Sequence, residues 1–393
     1  MAPPAAHVLL ADATSHGVAA GWTCTTLQAP TATAAGVFRF TGVAGLPGGA
    51  TVPSGPGAGP SSLILKVLHP PQLAPSGAAD AGPLPDFWSE PSAWRYWRRE
   101  AFVYGSGLLD GLTGGLVAPR CYGIAERADG TVWLWLEDIA DLYRQAGGGW
   151  PSSQRHLLAA RHLGELNGAY LVRGPLPAVP WLNRDDARLC IERAEPHGLR
   201  RIADPATWQH PLIRAAFPSP VAEPLLQLWA ERKSFLAALK RLPQTLCHFD
   251  PLVPFNLFAR RRADGTEETV AIDWGAAGVG AVGEDLAHFV ETSFAVPPGP
   301  REKWAGAHDL RRRALEAYLA GLRAAGWCPP DPGLVRAAYT IAAVVQRTFA
   351  RVAQALYAAE QPEPDERMIE RRASQAYFLL DLAGEARQLL RTV

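Results

Sequence analysis

The sequence predicts an α+β fold in two parts, a β-rich first third followed by a mostly helical remainder. Short β-branched and apolar runs bounded by Gly and Pro fill the chain up to Leu136. From His156 onward the apolar residues recur at helical spacing instead. An Asp-Gly pair at 264–265, set between two alternating runs, marks a β-hairpin inside the helical part. With 393 residues, the chain is long enough for two parts that each bury a core of their own.

Taken in order, the first strands are Trp22–Gln28, Gly36–Val43 and Leu63–Leu68, separated by Gly- and Pro-rich stretches at Gly45–Pro60 and Pro70–Pro85 that read as solvated insertions. Only four lysines occur among 38 basic residues, and Lys66 sits inside the apolar third strand. An amine there must reach the sheet edge or meet an anionic partner. A helix is expected over Ser92–Tyr104, with Trp94, Trp97, Ala101 and Tyr104 on its apolar side, Ser92 as N-cap and Glu100 at the border of the apolar face. Val117–Tyr122 and Thr131–Leu136 follow as strands. Glu137 and Asp138 at the end of the second point to opposite sides, which argues against a paired-carboxylate site.

His156–Leu171 is an amphipathic helix, and its His156 and His162, six residues apart, are expected at the surface or as caps and not as a metal pair. Gly174–Pro220 is irregular and Pro-rich. Pro224–Leu242 is a helix expected to lead directly into the loop at 248, and helices resume at Asp309–Ala325, Pro332–Ala359 and Asp365–Leu390. The run Arg311-Arg312-Arg313 reads as a solvated helix face.

Composition narrows the function. Lys+Arg and Asp+Glu both total 38, so no bulk charge points to nucleic acid or an acidic membrane. The five cysteines form no C-x-x-C pair, which speaks against a disulfide framework or zinc cluster and for a reducing compartment. No basic leader and no run of membrane-spanning length is present, so a cytoplasmic protein is expected. No lysine completes a Walker motif.

The chemistry concentrates between Cys247 and Ala287. A loop bearing His248, Asp250 and Asn256 precedes a hairpin of Asn256–Arg261 and Thr269–Asp273, which returns Asp273 beside Asp250. One carboxylate to accept a hydroxyl proton, with a second and an Asn to hold magnesium, is what phosphoryl transfer from a nucleotide needs. The order His248-Phe249-Asp250, Pro254-Phe255-Asn256, Ile272-Asp273-Trp274, a Gly-rich turn from Gly278 to Gly283 and Asp285-Leu286-Ala287 resembles the catalytic core of the aminoglycoside phosphotransferase and choline kinase family. Asn256 lies six residues after Asp250, whereas that family places its Asn five residues after the Asp.

The resemblance implies a bilobal protein-kinase-like fold, with a nucleotide-binding lobe over 1–138, a hinge at about 137–141 and a catalytic lobe over 139–393. It implies Asp250 as catalytic base, Asp273 and Asn256 as Mg²⁺ ligands, and His248 and Asp285 as supports of the loop. Lys66 would touch the nucleotide phosphates with Glu100 as its partner, Thr31 and Thr33 would lie in the phosphate loop, and Glu137 and Ile139 would meet the base through main-chain groups. The implied activity is transfer of a phosphate from ATP or GTP to a hydroxyl of a small molecule. Ala276–Val393 carries 14 acidic and 14 basic residues, so no carboxylate-rich pocket for polycations is evident. An antibiotic or related natural product, of aminoglycoside, macrolide or nucleoside type, is the expected acceptor, and antibiotic resistance the expected role. The alternatives are a metabolite kinase for a choline-like or sugar-like substrate, and a catalytically weak nucleotide-binding regulatory protein. Neither nucleic acid nor membrane is an expected partner.

Overall fold

A computed structural model describes residues 23–28, 34–42, 61–70, 89–92, 96–112, 114–139, 153–185, 188, 191, 200–251, 256–287, 304–329 and 331–393. The β-rich part is a five-stranded antiparallel sheet in the order β1 (Thr23–Gln28), β2 (Ala34–Gly42), β3 (Ser61–Leu68), β6 (Val132–Glu137), β5 (Cys121–Glu126). Period-two alternation sorts its side chains. Phe38, Phe40, Leu63, Leu65, Val67 and Trp133 cluster on one face. Leu68, Leu134 and Leu136, with Ile64, pack on the other against Ala101 and Tyr104 of helix α1 (Arg99–Gly105). Lys66 shares the parity of Ile64 and Leu68 and therefore points toward α1.

Helix α1 begins at Arg99 and not at Ser92, which lies in a turn. Of the aromatic residues that suggested a longer helix, Trp94 lies outside the described residues and Trp97 lies in a turn; beside them Tyr96 is parallel to Phe102, and Phe102 to Trp181, at centroid separations of 6.2 and 5.7 Å. The expected strand Val117–Tyr122 is likewise divided. Its start, β4 (Leu116–Val117), leaves the five-stranded sheet and pairs in parallel with β9 (Glu267–Ala271) of the hairpin, whose other strand is β8 (Leu257–Arg261). This sheet stitches the chain after α1 to the hairpin.

The helical part is centred on α2 (Ser153–Arg173), which packs closely on α6 (Ala305–Ala324). A Cβ at Gly164 or Gly321 would collide with the facing helix backbone, so glycine sets this approach. His156 and His162 on α2 are buried, contrary to the surface expectation; His162 shares a 2.8 Å hydrogen bond with Thr269 Oγ1 of β9. Burial pushes its imidazole below the ordinary value, against the pull of Glu165. Short helices α3 (Arg200–Ala203) and α4 (Pro211–Ala216) occupy part of the irregular stretch. Helix α5 (Ala222–Arg241) does not run straight into the loop: strand β7 (Gln244–Cys247) intervenes, paired antiparallel with β10 (Gly278–Ala281). The Gly-rich run thus forms a strand, and its small side chains admit the Phe249 ring beside Gly280. Helices α7 (Pro332–Ala342), α8 (Thr348–Ala359) and α9 (Glu366–Leu390) complete the part, with a π-helical turn over Ala343–Arg347 joining α7 to α8. Among the described residues no helix is long and apolar enough to cross a membrane.

Candidate active site

The site assembles where the face of β3 bearing Lys66 meets α1 and the end of the hairpin. Lys66 Nζ lies 2.5 Å from Glu100 Oε2 and 3.0 Å from Asp273 Oδ1. Burial alone would lower the ammonium's pKa, but the Asp273 and Glu100 carboxylates outweigh it and hold Lys66 above its ordinary value. A unit-charge pair about 4 Å apart is worth about 4 kcal/mol at the effective dielectric near a protein surface, and the closer pairs here offset a substantial desolvation cost. Glu100 is itself pushed up by burial, and further by Asp273, while Lys66 and the main chain of Trp274 pull the other way. Of the two carboxylates, Asp273 is the accessible one, with 37% of its side chain exposed against 4% for Glu100.

Asp273 follows β9 and takes a left-handed backbone, φ 61°, before the 3₁₀ turn Trp274–Ala276. Aspartate tolerates this region better than most residues. Trp274 is fully buried and donates its indole N–H to Ala271 O at 3.0 Å. Asn256 joins the two halves of the site. Its main-chain carbonyl accepts from Ile272 N at 2.9 Å, and its Nδ2 donates to Asp250 O at 2.9 Å. The amide oxygen of Asn256 and the carboxylate of Asp273 are hard oxygen donors of the kind that magnesium selects. They therefore fit a magnesium ion chemically.

The loop after β7 is held from beneath. Asp285, fully buried, accepts His248 N on one carboxylate oxygen and Phe249 N on the other, each at 2.8 Å. Asn167 of α2 donates to the same carboxylate at 3.3 Å and to Leu246 O at 2.6 Å. Tyr318 of α6 donates to Asn167 Oδ1 and accepts Gly283 N at 2.9 Å; burial raises its phenol well above the ordinary value. Phe249 is consequently kept at φ 58°. His248 Nε2 lies 2.9 Å from Ile272 O and must donate there, so Nδ1 is the acceptor that Asp250 N meets at 3.2 Å. Both ring nitrogens are spent on the main chain, which leaves the imidazole no lone pair for abstracting a substrate proton.

At the end of β6 the adjacent carboxylates part company. Glu137 accepts Arg260 Nη1 of β8 at 2.7 Å and Arg120 N at 3.1 Å. Asp138 turns back to the five-stranded sheet, meeting Arg39 Nε at 2.8 Å and the hydroxyl of Ser62. Ile139 follows on the chain. Thr31 and Thr33 lie outside the described residues, as do residues 252–255 of the loop between Asp250 and Asn256. Beside Gly280 a small crevice lies between α5 and β10, lined by Arg184, Asp185, Arg188, Lys240 and Glu284 among others.

Several residues of this neighbourhood carried no signal in the sequence. Arg99, Asn167, Tyr318 and Arg260 sit on ordinary helices or strands, and their partners lie far away along the chain. A charged or amide residue on the apolar side of a helix is the only hint that Arg99 and Asn167 offered.

The family model described as "Phosphotransferase enzyme family" matches residues 114–328. Among solved structures, the chain is similar to the amicoumacin kinase hAmiN in complex with AMP-PNP, Ca2+ and Ami, at 12% identity and a TM-score of 0.51, covering 91% of this chain and 88% of that one. It is also similar to a choline kinase from Cryptosporidium parvum, at 12% identity and a TM-score of 0.49 over 93% and 90% of the two chains. A thermostable mutant of aminoglycoside phosphotransferase APH(4)-Ia with ADP and hygromycin B gives 13% identity and a TM-score of 0.43 over 98% of each chain. At such identity the likeness to hAmiN is one of fold, and the fold is protein-kinase-like. No curated protein sequence matches the chain.

Proposed function

The chain belongs to the phosphotransferase enzyme family of small-molecule kinases, and from that premise we propose that it transfers the terminal phosphate of ATP or GTP to a hydroxyl of a hydroxylated small molecule. The observation that carries this reading is Lys66, drawn to Glu100 on α1 and to Asp273, 207 residues further along the chain. An ammonium fixed between a buried and an accessible carboxylate is a preformed contact for nucleotide phosphates, with Asp273 left at the side where a metal ion would sit. We assign residues 1–138 to a nucleotide-binding lobe and 139–393 to a catalytic lobe, with the hinge at about 137–141. Glu137 and Ile139 would offer main-chain groups to the base, and Thr31 and Thr33 would line the phosphate loop.

In this reading Asp250 orients the acceptor hydroxyl and takes its proton as the oxygen attacks the terminal phosphorus; the bond to the nucleoside diphosphate breaks and the diphosphate leaves. Asp273 and Asn256 would hold Mg²⁺, which neutralises phosphate charge when bound. His248 and Asp285 keep the loop in shape. The acceptor is best read as an antibiotic or related natural product, and resistance as the role. The balance of 14 acidic and 14 basic residues over Ala276–Val393 supports an acceptor that is not a polycation.

The test is a mass-spectrometric screen of purified protein with Mg²⁺, ATP and GTP against hydroxylated antibiotics and metabolites, with Asp250→Ala as control. A mass gain of one phosphate on a compound, absent with the variant, is expected. Phosphorylation of choline-like or sugar-like compounds alone would replace the antibiotic reading with a metabolite kinase. Nucleotide binding without transfer to any compound would leave the regulatory alternative.

A further inference from the structure

The fully buried Arg99 opens α1, directly before Glu100, and its guanidinium fans out to main-chain carbonyls of separate segments. Nε donates to Trp181 O at 2.6 Å, Nη1 to Gly275 O at 3.0 Å and Nη2 to Pro91 O at 3.3 Å. Gly275 belongs to the 3₁₀ turn that begins directly after Asp273. Trp181 introduces the irregular stretch after α2, and Asn183, two residues on, accepts Val279 N at 2.6 Å. The ring of Phe102, on the next turn of α1, stacks on that same Trp181.

We infer that Arg99 is a positioning residue of the phosphotransfer site, clamping the helix that carries Glu100 to the turn that carries Asp273 and to the stretch at 181–183, so that the carboxylates flanking Lys66 move as one unit. The geometry is specific to a guanidinium. Its planar fork directs several N–H groups along fixed lines, and all of those named end on carbonyl oxygens, which cannot be repositioned without moving the backbone. A helix tied only by apolar packing can slide along the sheet; a helix whose first residue is bonded into the turn after Asp273 cannot do so without breaking buried hydrogen bonds. Since Lys66 needs both carboxylates within hydrogen-bonding reach, a shift of about 1 Å in α1 is enough to cost on the order of 100-fold in rate. The irregular stretch thereby gains a rigid path to the nucleotide side of the site.

This inference rests on the phosphotransferase reading, and two readouts separate their failures. The first is a double-mutant cycle in the full-length protein with Arg99→Met and Glu100→Gln, scored by kcat/KM. Arg99→Met is expected to lower kcat/KM by about 100-fold, but by less than about 3-fold when Glu100→Gln is already present, because both act through the same carboxylate. Losses that multiply in the double variant, or a lowered Tm with unchanged kcat/KM, would reduce Arg99 to a structural residue and overturn the inference. Arg99→Lys, which retains charge but has no fork, replaces the Met variant should that fail to fold, and is expected to recover only part of the rate. The second readout is amide hydrogen exchange, which needs no turnover. Loss of the clamp should speed exchange in residues 99–105 and 273–277 together. If the 273–277 turn keeps its protection in the Arg99 variant, the clamp does not exist, whatever the enzyme is found to do; absence of wild-type turnover with the paired change in exchange would refute the phosphotransferase reading alone.

Discussion

Asp273 and Asp285 come from one short stretch of chain and end in opposite surroundings. Asp273 stays 37% exposed and faces the ammonium of Lys66, borne on a different sheet. Asp285 is fully buried and spends both oxygens on the N–H groups of His248 and Phe249. The difference teaches how to separate chemistry from architecture in this protein. A carboxylate saturated by main-chain donors in the interior holds shape and has little left for a ligand, and removing it strands those donors at a cost. A carboxylate at an accessible edge keeps oxygen lone pairs open to a ligand, so its removal bears on function more than on the architecture of the loop.

Four experiments press on this contrast. Asp250→Ala, on the open side, should lower kcat by about 1000-fold, within the range general-base removal produces. Its Tm should fall by less than that of Asp285→Ala, which strands two buried main-chain donors. Asp285→Ala should behave in reverse: two buried N–H groups lose their acceptor, and urea unfolding should register about 2–5 kcal/mol. A variant as stable as wild type would dissolve the contrast. Tyr318→Phe removes one donor from Asn167 and one acceptor from Gly283 N, and about 1–2 kcal/mol is expected by the same assay.

The mildest test uses acid. Burial pushes the Glu268 carboxyl up, yet hydrogen bonds and charge from Arg260 and Arg262 prevail and hold it below its ordinary value of 4.5. A carboxylate depressed on folding contributes stability that is present above its unfolded value and lost as pH falls through the folded one. Melting temperatures recorded from pH 6 downward should therefore converge between wild type and Glu268→Gln below about pH 4.5. A constant gap would show that the Arg260 and Arg262 pairing does not report on folding.

Much of the fold was legible because its signals are local. The alternation of Phe38, Phe40, Leu63 and Leu65 announces a sheet, and the Asp-Gly at 264–265 announces the turn between β8 and β9. Strands β7 and β10 were not legible, since four residues, buried or glycine-rich, display no period to read. The early start given to α1 arose from the spacing of Trp97, Ala101 and Tyr104, which a turn ahead of the helix satisfies as well as a helix does. In the site, motif order drew attention to Lys66, Glu100 and Asp273, and the structure brings these three into contact. Arg99 and Tyr318 were invisible for a different reason. Their partners lie 82–176 and 151 residues away for the long-range bonds, and a single chain offers no pattern that links positions so remote.

Phe249 and Asp273 share one further property, a main chain in the left-handed region at φ 58° and 61°. That conformation costs an ordinary residue roughly 1–2 kcal/mol and a β-branched one more. The backbone thus limits the alphabet of useful replacements. At 273 an Asn alters charge while accepting the torsion, so it isolates electrostatics; a Val or Thr would confound charge with geometry. At 249 a Gly would accept the torsion and remove the buried ring at once. Residue 249 thus offers a change that leaves the charge of the loop untouched and acts through its torsion and its buried ring together.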